Sequence, residues 1–402
     1  MNRPITDYIR EYQTNKYRDG KKMPIAEFVE DYINGRIDVV GDFREFMHNR
    51  ADYFDYTFIP EHYQYFFTQF LPEFFIHSKH QDETIGRTHY NRGNDFFGSF
   101  LGDRMIYTSA FFQTLQDTLE QAQDNKLKMV CEKLQLKAGE KLLDIGCGWG
   151  TLVRYAAQTY GADATGVTVA GEGAAYAQKQ IEEAGVTDRA RLLVSDYRDI
   201  PQQKYNKISC LEMAEHVGIL RFQKFMKQVY NMLEDDGLFY LQIAGLKHGI
   251  HKESMVWGLF MAKYIFPGAD ASTPLSFFVT NLEQAGFEVH SVENVGIHYS
   301  HTIRLWYDNW MKNENYVREH YGQWWFRLWQ VFLSWSVDIA AQGNSTCWQI
   351  VSHKNLEHFD RNRFIGGFNM GERDFDTDHA ETSNGTTAAS AKKPVKVKVE
   401  DN

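Results

Sequence analysis

The chain has no apolar run long enough to cross a bilayer. Nowhere do about 18 such residues follow one another, so no transmembrane segment is expected. The opening residues, Met-Asn-Arg-Pro-Ile-Thr-Asp, lack the apolar core of a secretory leader. Cysteine is scarce. Cys131, Cys147, Cys210 and Cys347 are scattered, without the paired spacing of a metal site or a disulfide framework. No metal is therefore expected, and a reducing, cytoplasmic compartment fits. Basic charge is also in deficit: 43 Lys and Arg against 53 Asp and Glu leave a net charge of -10, the wrong sign for a general nucleic-acid binder. Aromatic residues, by contrast, are abundant, with 29 Phe, 22 Tyr and 9 Trp in 402 residues. That length suits one large domain or two.

One stretch organises the rest. Lys141-Leu-Leu-Asp-Ile-Gly-Cys-Gly-Trp-Gly150 joins an apolar run to an acid and three glycines, and a helical pattern opens at Thr151. This reads as a buried parallel strand, a tight glycine turn and a helix. Glycines allow positive φ and let a ligand lie against bare backbone, while the helix start offers free N–H groups. The spacing Gly-x-Gly-x-Gly is not the dinucleotide pattern, which also wants an acid ending the second strand; here that strand ends on Thr168. The segment resembles the nucleoside-binding loop of class I methyltransferases, where the acid before the glycines orients the methionine end of S-adenosyl-L-methionine.

Candidate strands at 141–145, 164–167, 191–194, 207–211, 238–243 and 288–295 alternate with helical patterns. The expected fold class is α/β: a Rossmann-like, doubly wound parallel sheet with a helical N-terminal region and helical insertions. Ligands sit at the carboxyl ends of such strands. An aromatic-rich helical region is expected over 1–80, a methyltransferase domain over 81–356 and a mostly disordered tail over 357–402. Within the first, residues 53–76 carry Phe54, Tyr56, Phe58, Tyr63, Phe66, Phe67 and Phe70, bounded by Pro60 and Pro72. That segment suits a helix packed on the main domain or one dipping into a lipid interface. The Trp-rich stretch 306–335 is expected to be core, or to roof a large apolar pocket.

Glu212-Met-Ala-Glu215-His216 follows the apolar strand at 207–211. It lacks the His-Glu-x-x-His order of a metalloprotease. Its acids could serve a helix N-terminus or place Glu215 and His216 in an active site. Upstream lie His89-Tyr-Asn-Arg-Gly-Asn-Asp-Phe-Phe97 and Met105-Ile-Tyr-Thr-Ser109. Together with the glycine loop, Asp196-Tyr-Arg-Asp199, Glu215-His-Val-Gly218 and Tyr264-Ile-Phe-Pro-Gly268, these motifs resemble the cyclopropane-fatty-acid synthase family, over roughly residues 66–354. Residues 210–219 and 257–272 look most like its sphingolipid C9-methyltransferase branch.

The resemblance implies S-adenosyl-L-methionine contacts at Tyr107, Thr108, Leu142, Leu143, Asp144, Ile145, Gly146, Cys147, Gly148, Trp149, Gly150, Thr168, Val169, Gly173, Asp196, Tyr197 and Arg198. It implies an acceptor double bond in a lipid chain at a membrane surface, reached by a cytoplasmic, peripheral enzyme, with the endoplasmic reticulum one such membrane. The alkene would attack the sulfonium methyl, and aromatic faces with a carboxylate would stabilise the resulting cation. In cyclopropane synthases the base is a bicarbonate, held in part by residues matching Glu215 and Tyr299. Here Ser109 stands for a family Cys, Gln242 for a His, Ala244 for an Ile, Ser336 for another Cys and Gly173 for a Gln. The changes at Ser109, Gln242 and Ala244, in the pocket that holds the base, point away from bicarbonate and toward a methyl branch on a retained double bond. Two alternatives stand beside this reading: a cyclopropane-forming fatty acyl phospholipid synthase, and a small-molecule N-methyltransferase.

Overall fold

The computed structural model of the protein describes residues 3–70, 92–249, 251–267 and 273–365. Seven strands form its central sheet: β1 (Lys141–Ile145), β2 (Asp163–Thr168), β3 (Ala190–Val194), β4 (Tyr205–Leu211), β5 (Leu233–Leu246), β6 (Phe287–Asn294) and β7 (Ser345–Lys354). Their spatial order is β3-β2-β1-β4-β5-β7-β6. The order reverses beside β1, which opens a crevice at the carboxyl ends of β1 and β4. Neighbours from β3 to β5 run parallel, whereas β7 runs antiparallel to both β5 and β6. The sheet is therefore mixed rather than wholly parallel. β7 is the strand that the sequence pattern missed, because Gln349, Ser352, His353 and Lys354 break its apolar run although all four are buried.

Sequence and local chemistry set the flanking helices. Helix α1 (Ile25–Ile33) turns Phe28, Val29 and Tyr32 inward. Asp42 caps α2 (Phe43–His48) by accepting the N–H groups of Arg44 and Glu45. Helix α3 (Asn94–Leu101) buries Phe96, Phe97 and Phe100. Helix α4 (Leu119–Lys133) starts with a reciprocal box: Thr118 accepts from the Gln121 N–H, and Gln121 accepts from the Thr118 N–H. Helix α5 (Thr151–Tyr160) runs from Gly150 to Gly161, both left-handed. Next come α6 (Gly171–Glu183), α7 (Ile219–Met232), α8 (Lys252–Phe260) and α9 (Leu275–Ala285).

Helices α10 (Gly296–Lys312) and α11 (Gln323–Ala341) pack together in the chain's larger aromatic core. Trp306, Trp310, Trp329 and Trp335 are fully buried, and α11 is shielded nearly all round, against α1 and α2 among others. The aromatic segment at 53–76 divides. Tyr53 and Phe54 join the core, a short helix Pro60–Tyr65 widens into a π turn at Phe66–Phe70, and residues 71–76 lie outside the described residues. Of the tail expected over 357–402, residues 357–365 are described, with Phe359 buried and Arg361 paired to Glu288; residues 366–402, like the motif residues His89 and Tyr90, fall outside the described residues. Residues up to Arg363 form one compact unit.

Candidate active site

Buried Leu142, Leu143 and Ile145 anchor β1 in the sheet, so the loop after it starts from a fixed point. The N–H groups of Gly146 and Cys147 both donate to the Val167 carbonyl, at 2.9 and 3.0 Å, tying the loop to β2. Gly146 has φ +82°, and a Cβ there would sit 2.4 Å from Cβ of Met213. Gly148, at φ +54°, faces open space. Gly150 starts α5 at φ +68°, with the Ala177 methyl 2.8 Å from where its own Cβ would be.

The loop forms one wall of a cavity of about 210 Å³. Tyr107, Thr108, Asp144, Gly146, Cys147, Gly148, Trp149, Thr168, Val169, Gly173, Asp196 and Tyr197 all line it. Leu142, Leu143, Ile145, Gly150 and Arg198 do not. The first three are strand core, Gly150 is packed behind the loop, and Arg198 forms a two-pronged ion pair with Asp196 at 2.7 Å.

Two buried ionisable groups stand at this cavity. Asp144 accepts from the Ser209 hydroxyl at 2.8 Å, yet burial pushes its pKa up to about 6 against the pull of Ser209 and Lys126. Lys126, from α4, donates to the Thr108 hydroxyl at 2.6 Å, and burial pulls its pKa down against the charges of Glu212 and Asp144. The Trp149 indole N–H donates to Asn94 at 2.7 Å, which fixes the ring beside Phe97. Sequence reasoning missed Lys126. Its only signal was a lysine on a helix face otherwise built from Ala122, Met129 and Val130, all fully buried.

A second, larger cavity of about 570 Å³ adjoins the first and shares Tyr107, Glu212, His216 and Phe266 with it. Its walls are apolar and come from α8, α10, α11 and the segment around Phe58–Phe67; Trp257, Met261, Ile303, Trp306, Phe332 and Ile339 are among them. Where the cavities meet, Tyr107 lies 5.8 Å from Phe266 and 5.5 Å from Trp306, ring centre to ring centre, and Tyr299 stands edge-on to Trp306. Ring faces in this arrangement can stabilise a passing positive charge.

Glu215 lines the larger cavity. One of its oxygens accepts the Ala244 N–H, and the other is buried with no hydrogen-bond partner. Burial, with the Glu212 charge second, pushes its pKa up to about 8. Tyr299 lines the same cavity, and burial and Glu212 hold its hydroxyl well above the ordinary tyrosine value. His216 borders both cavities and meets Phe266 edge to face. Ser109 and Gln242 border neither, and they reach the site through Glu212. The Ser109 N–H and the Gln242 amide donate to Glu212 Oε1 at 2.9 and 2.6 Å, while the Ser109 hydroxyl turns away to the Ala110 carbonyl. Glu212 itself was not among the expected catalytic residues.

Residues 77–350 match the family described as mycolic acid cyclopropane synthetase. The chain is 46% identical over 378 residues to the sphingolipid C9-methyltransferase of Komagataella phaffii, covering 90% of this chain and 77% of that protein. It is 47% identical over 362 residues to sphingolipid C9-methyltransferase A of Emericella nidulans, covering 88% and 70%. Among solved structures, the cyclopropane synthase MmaA2 from Mycobacterium tuberculosis superposes with a TM-score of 0.65 at 25% identity, covering 68% of this chain and 98% of that one.

Proposed function

The chain belongs to the mycolic acid cyclopropane synthetase family, and from that premise we propose that it methylates C9 of a sphingolipid. It is an S-adenosyl-L-methionine-dependent methyltransferase. The observation that carries the substrate reading is the junction of a smaller cavity, walled by the glycine loop, Asp144 and Lys126, with a larger apolar one at Tyr107, Glu212, His216 and Phe266. The cavity volumes and linings suit a nucleoside-bearing cofactor in one and an acyl or sphingoid chain in the other. The relatives named sphingolipid C9-methyltransferases support the choice of lipid.

The cofactor fits the residues present. Gly148 leaves bare backbone against the cavity, Asp144 offers an anion to the ammonium of the methionine end, and Lys126 a cation to its carboxylate. Bound there, S-adenosyl-L-methionine supplies an electrophilic methyl on a sulfonium centre. The chain's own residues do the rest. Apolar walls exclude water from the alkene and keep the sulfonium from hydrolysis. The rings of Tyr107, Phe266 and Trp306 face the cation that forms on the lipid. The Glu212 carboxylate, which borders both cavities, adds a field that favours positive charge at the junction.

Access for the lipid is part of the proposal. The larger cavity reaches Tyr63, Phe66 and Phe67 on the segment 60–70 and Met255 on α8, which are 37–63% exposed. Among the described residues, no helix is long and apolar enough to cross a membrane. These rings and Met255 suit a rim that presses into the lipid interface while a chain moves from bilayer to cavity.

The test is lipid mass spectrometry of a host expressing the protein and fed trideuteriomethyl methionine. The expected result is a sphingoid base heavier by one labelled methyl on carbon. Label found only on amine nitrogen would sink the reading in favour of a small-molecule N-methyltransferase. A labelled cyclopropane in fatty acyl phospholipid would move it to the ring-forming branch.

A further inference from the structure

Two carboxylates stand at the acceptor cavity, and their surroundings differ. Glu212 borders both cavities, whereas Glu215 borders only the larger. Glu212 follows β4 at φ +54°, a left-handed conformation that side chains other than glycine seldom adopt. Its N–H donates to the Gln242 carbonyl at 2.8 Å. Its Oε1 receives the Ser109 N–H and the Gln242 amide, with the Cys347 thiol at 3.6 Å. Donors from three separate parts of the chain thus converge on one side chain, held in a strained turn at the junction of the two cavities. Glu215 has one bare oxygen and is driven by burial toward its neutral acid, which has a proton to give rather than a place to put one.

We infer that Glu212 is the group that accepts the proton released after methyl transfer, and that it thereby selects the product; this rests on the alkene-methylation reading above. In the first step the alkene π pair forms a bond to the methyl carbon. The carbon–sulfur bond breaks with its electrons left on sulfur, and the other alkene carbon becomes a cation. In the second step the Glu212 carboxylate takes the proton from the carbon that received the methyl. That C–H pair re-forms the double bond beneath a methyl branch, and Glu212 is left as the neutral acid until it returns its proton to water. Loss of a proton from the new methyl would instead close a cyclopropane ring, so the placement of the base decides the outcome.

The test uses full-length Glu212→Gln and Glu212→Gly. Glycine is the residue best suited to φ +54° and leaves room for a small anion. Both variants are expected to bind S-adenosylhomocysteine by calorimetry within about threefold of wild type and to lose about a hundredfold or more in lipid turnover. Sodium formate should restore at least about tenfold to Glu212→Gly and nothing to Glu212→Gln, whose amide fills the space; sodium chloride should restore neither. A residue that only shaped the turn would give no anion rescue. Wild-type product made with trideuteriomethyl donor should keep three deuteriums, since a ring would keep two. Near wild-type turnover by Glu212→Gln, or no formate rescue in a Glu212→Gly protein that binds S-adenosylhomocysteine normally, overturns the inference. If the wild type itself methylates no lipid alkene, the proposed function fails first, and the two failures are told apart.

Discussion

Gly146 and Gly148 lie two residues apart and answer to different constraints. Gly146 has a protein atom where its side chain would go, the Met213 Cβ, so Gly146→Ala must displace the turn that leads to Glu215. Gly148 meets nothing within 4 Å and borders the smaller cavity, so Gly148→Val puts its branch into ligand space. The expected outcome for Gly148→Val is a fold intact by circular dichroism and a loss of about tenfold or more in S-adenosylhomocysteine affinity by calorimetry, from lost contacts and lost space. Both positions hold positive φ, so both variants should lower the melting temperature, Gly146→Ala also because the Met213 side chain must move. Glu215 yields a prediction in pH. Its pKa in the fold, about 8, lies above the ordinary carboxylate value, so the fold favours the neutral acid. That contribution is full below the unfolded pKa and is lost progressively as pH rises through about 8, at about 1.4 kcal/mol per unit. Between pH 5 and 8 the wild-type melting temperature should therefore fall by several degrees relative to Glu215→Gln; parallel curves would show that Glu215 is not held neutral. The glycine loop was legible in the sequence because its geometry is local. Lys126 and Glu212 were not, since their roles depend on α4 and β5 reaching the same point from distant parts of the chain.

Among elements, α11 holds the larger cavity together, and Asp338 is its main polar tie. Its carboxylate accepts from Arg44 on α2 and from Arg50, and it contacts His48. Arg50, 2% exposed, also reaches Glu253 on α8. One buried network thus fastens the N-terminal region, α8 and α11, the last two of which wall the acceptor cavity. Removing one partner of a buried pair leaves the other charges uncompensated, at a cost of about 3–5 kcal/mol. Asp338→Ala should lower the melting temperature and raise the lipid KM while cofactor affinity changes little, because the smaller cavity takes no wall from these elements. An unchanged melting temperature would show that the network is dispensable. This tie could not be read from the sequence, whose partners lie nearly 300 residues apart. The other six strands could be read, because most carry a short apolar run between helical patterns. β7 could not, since Gln349 and Lys354 interrupt its apolar run and find their partners across the sheet: Gln349 donates to Gln242, and Lys354 to Asp235.

At the scale of the whole molecule, the larger cavity poses a problem of access. Its walls suit an apolar chain, and on the proposed reading such a chain leaves a bilayer to enter it. The residues best placed to help are Tyr63, Phe66 and Phe67, which border the cavity and remain partly exposed. With net charge -10, the protein gains nothing from general attraction to anionic lipid, so the proposed membrane contact rests on apolar burial. A fully buried aromatic side chain is worth on the order of 1.5–3 kcal/mol, so partial burial of two should change membrane partition about ten- to a hundredfold. Flotation with phosphatidylcholine vesicles measures this directly. Wild type should float, weakly but reproducibly, and Phe66→Ser with Phe67→Ser should float about tenfold less while keeping its circular dichroism and its affinity for S-adenosylhomocysteine. The same double variant should recover turnover on a short-chain, detergent-dispersed substrate, since the cavity beyond the rim is untouched. Equal flotation of the two proteins would remove the rim from the membrane contact, and no flotation of either would mean that the lipid is delivered by some route other than the bilayer surface.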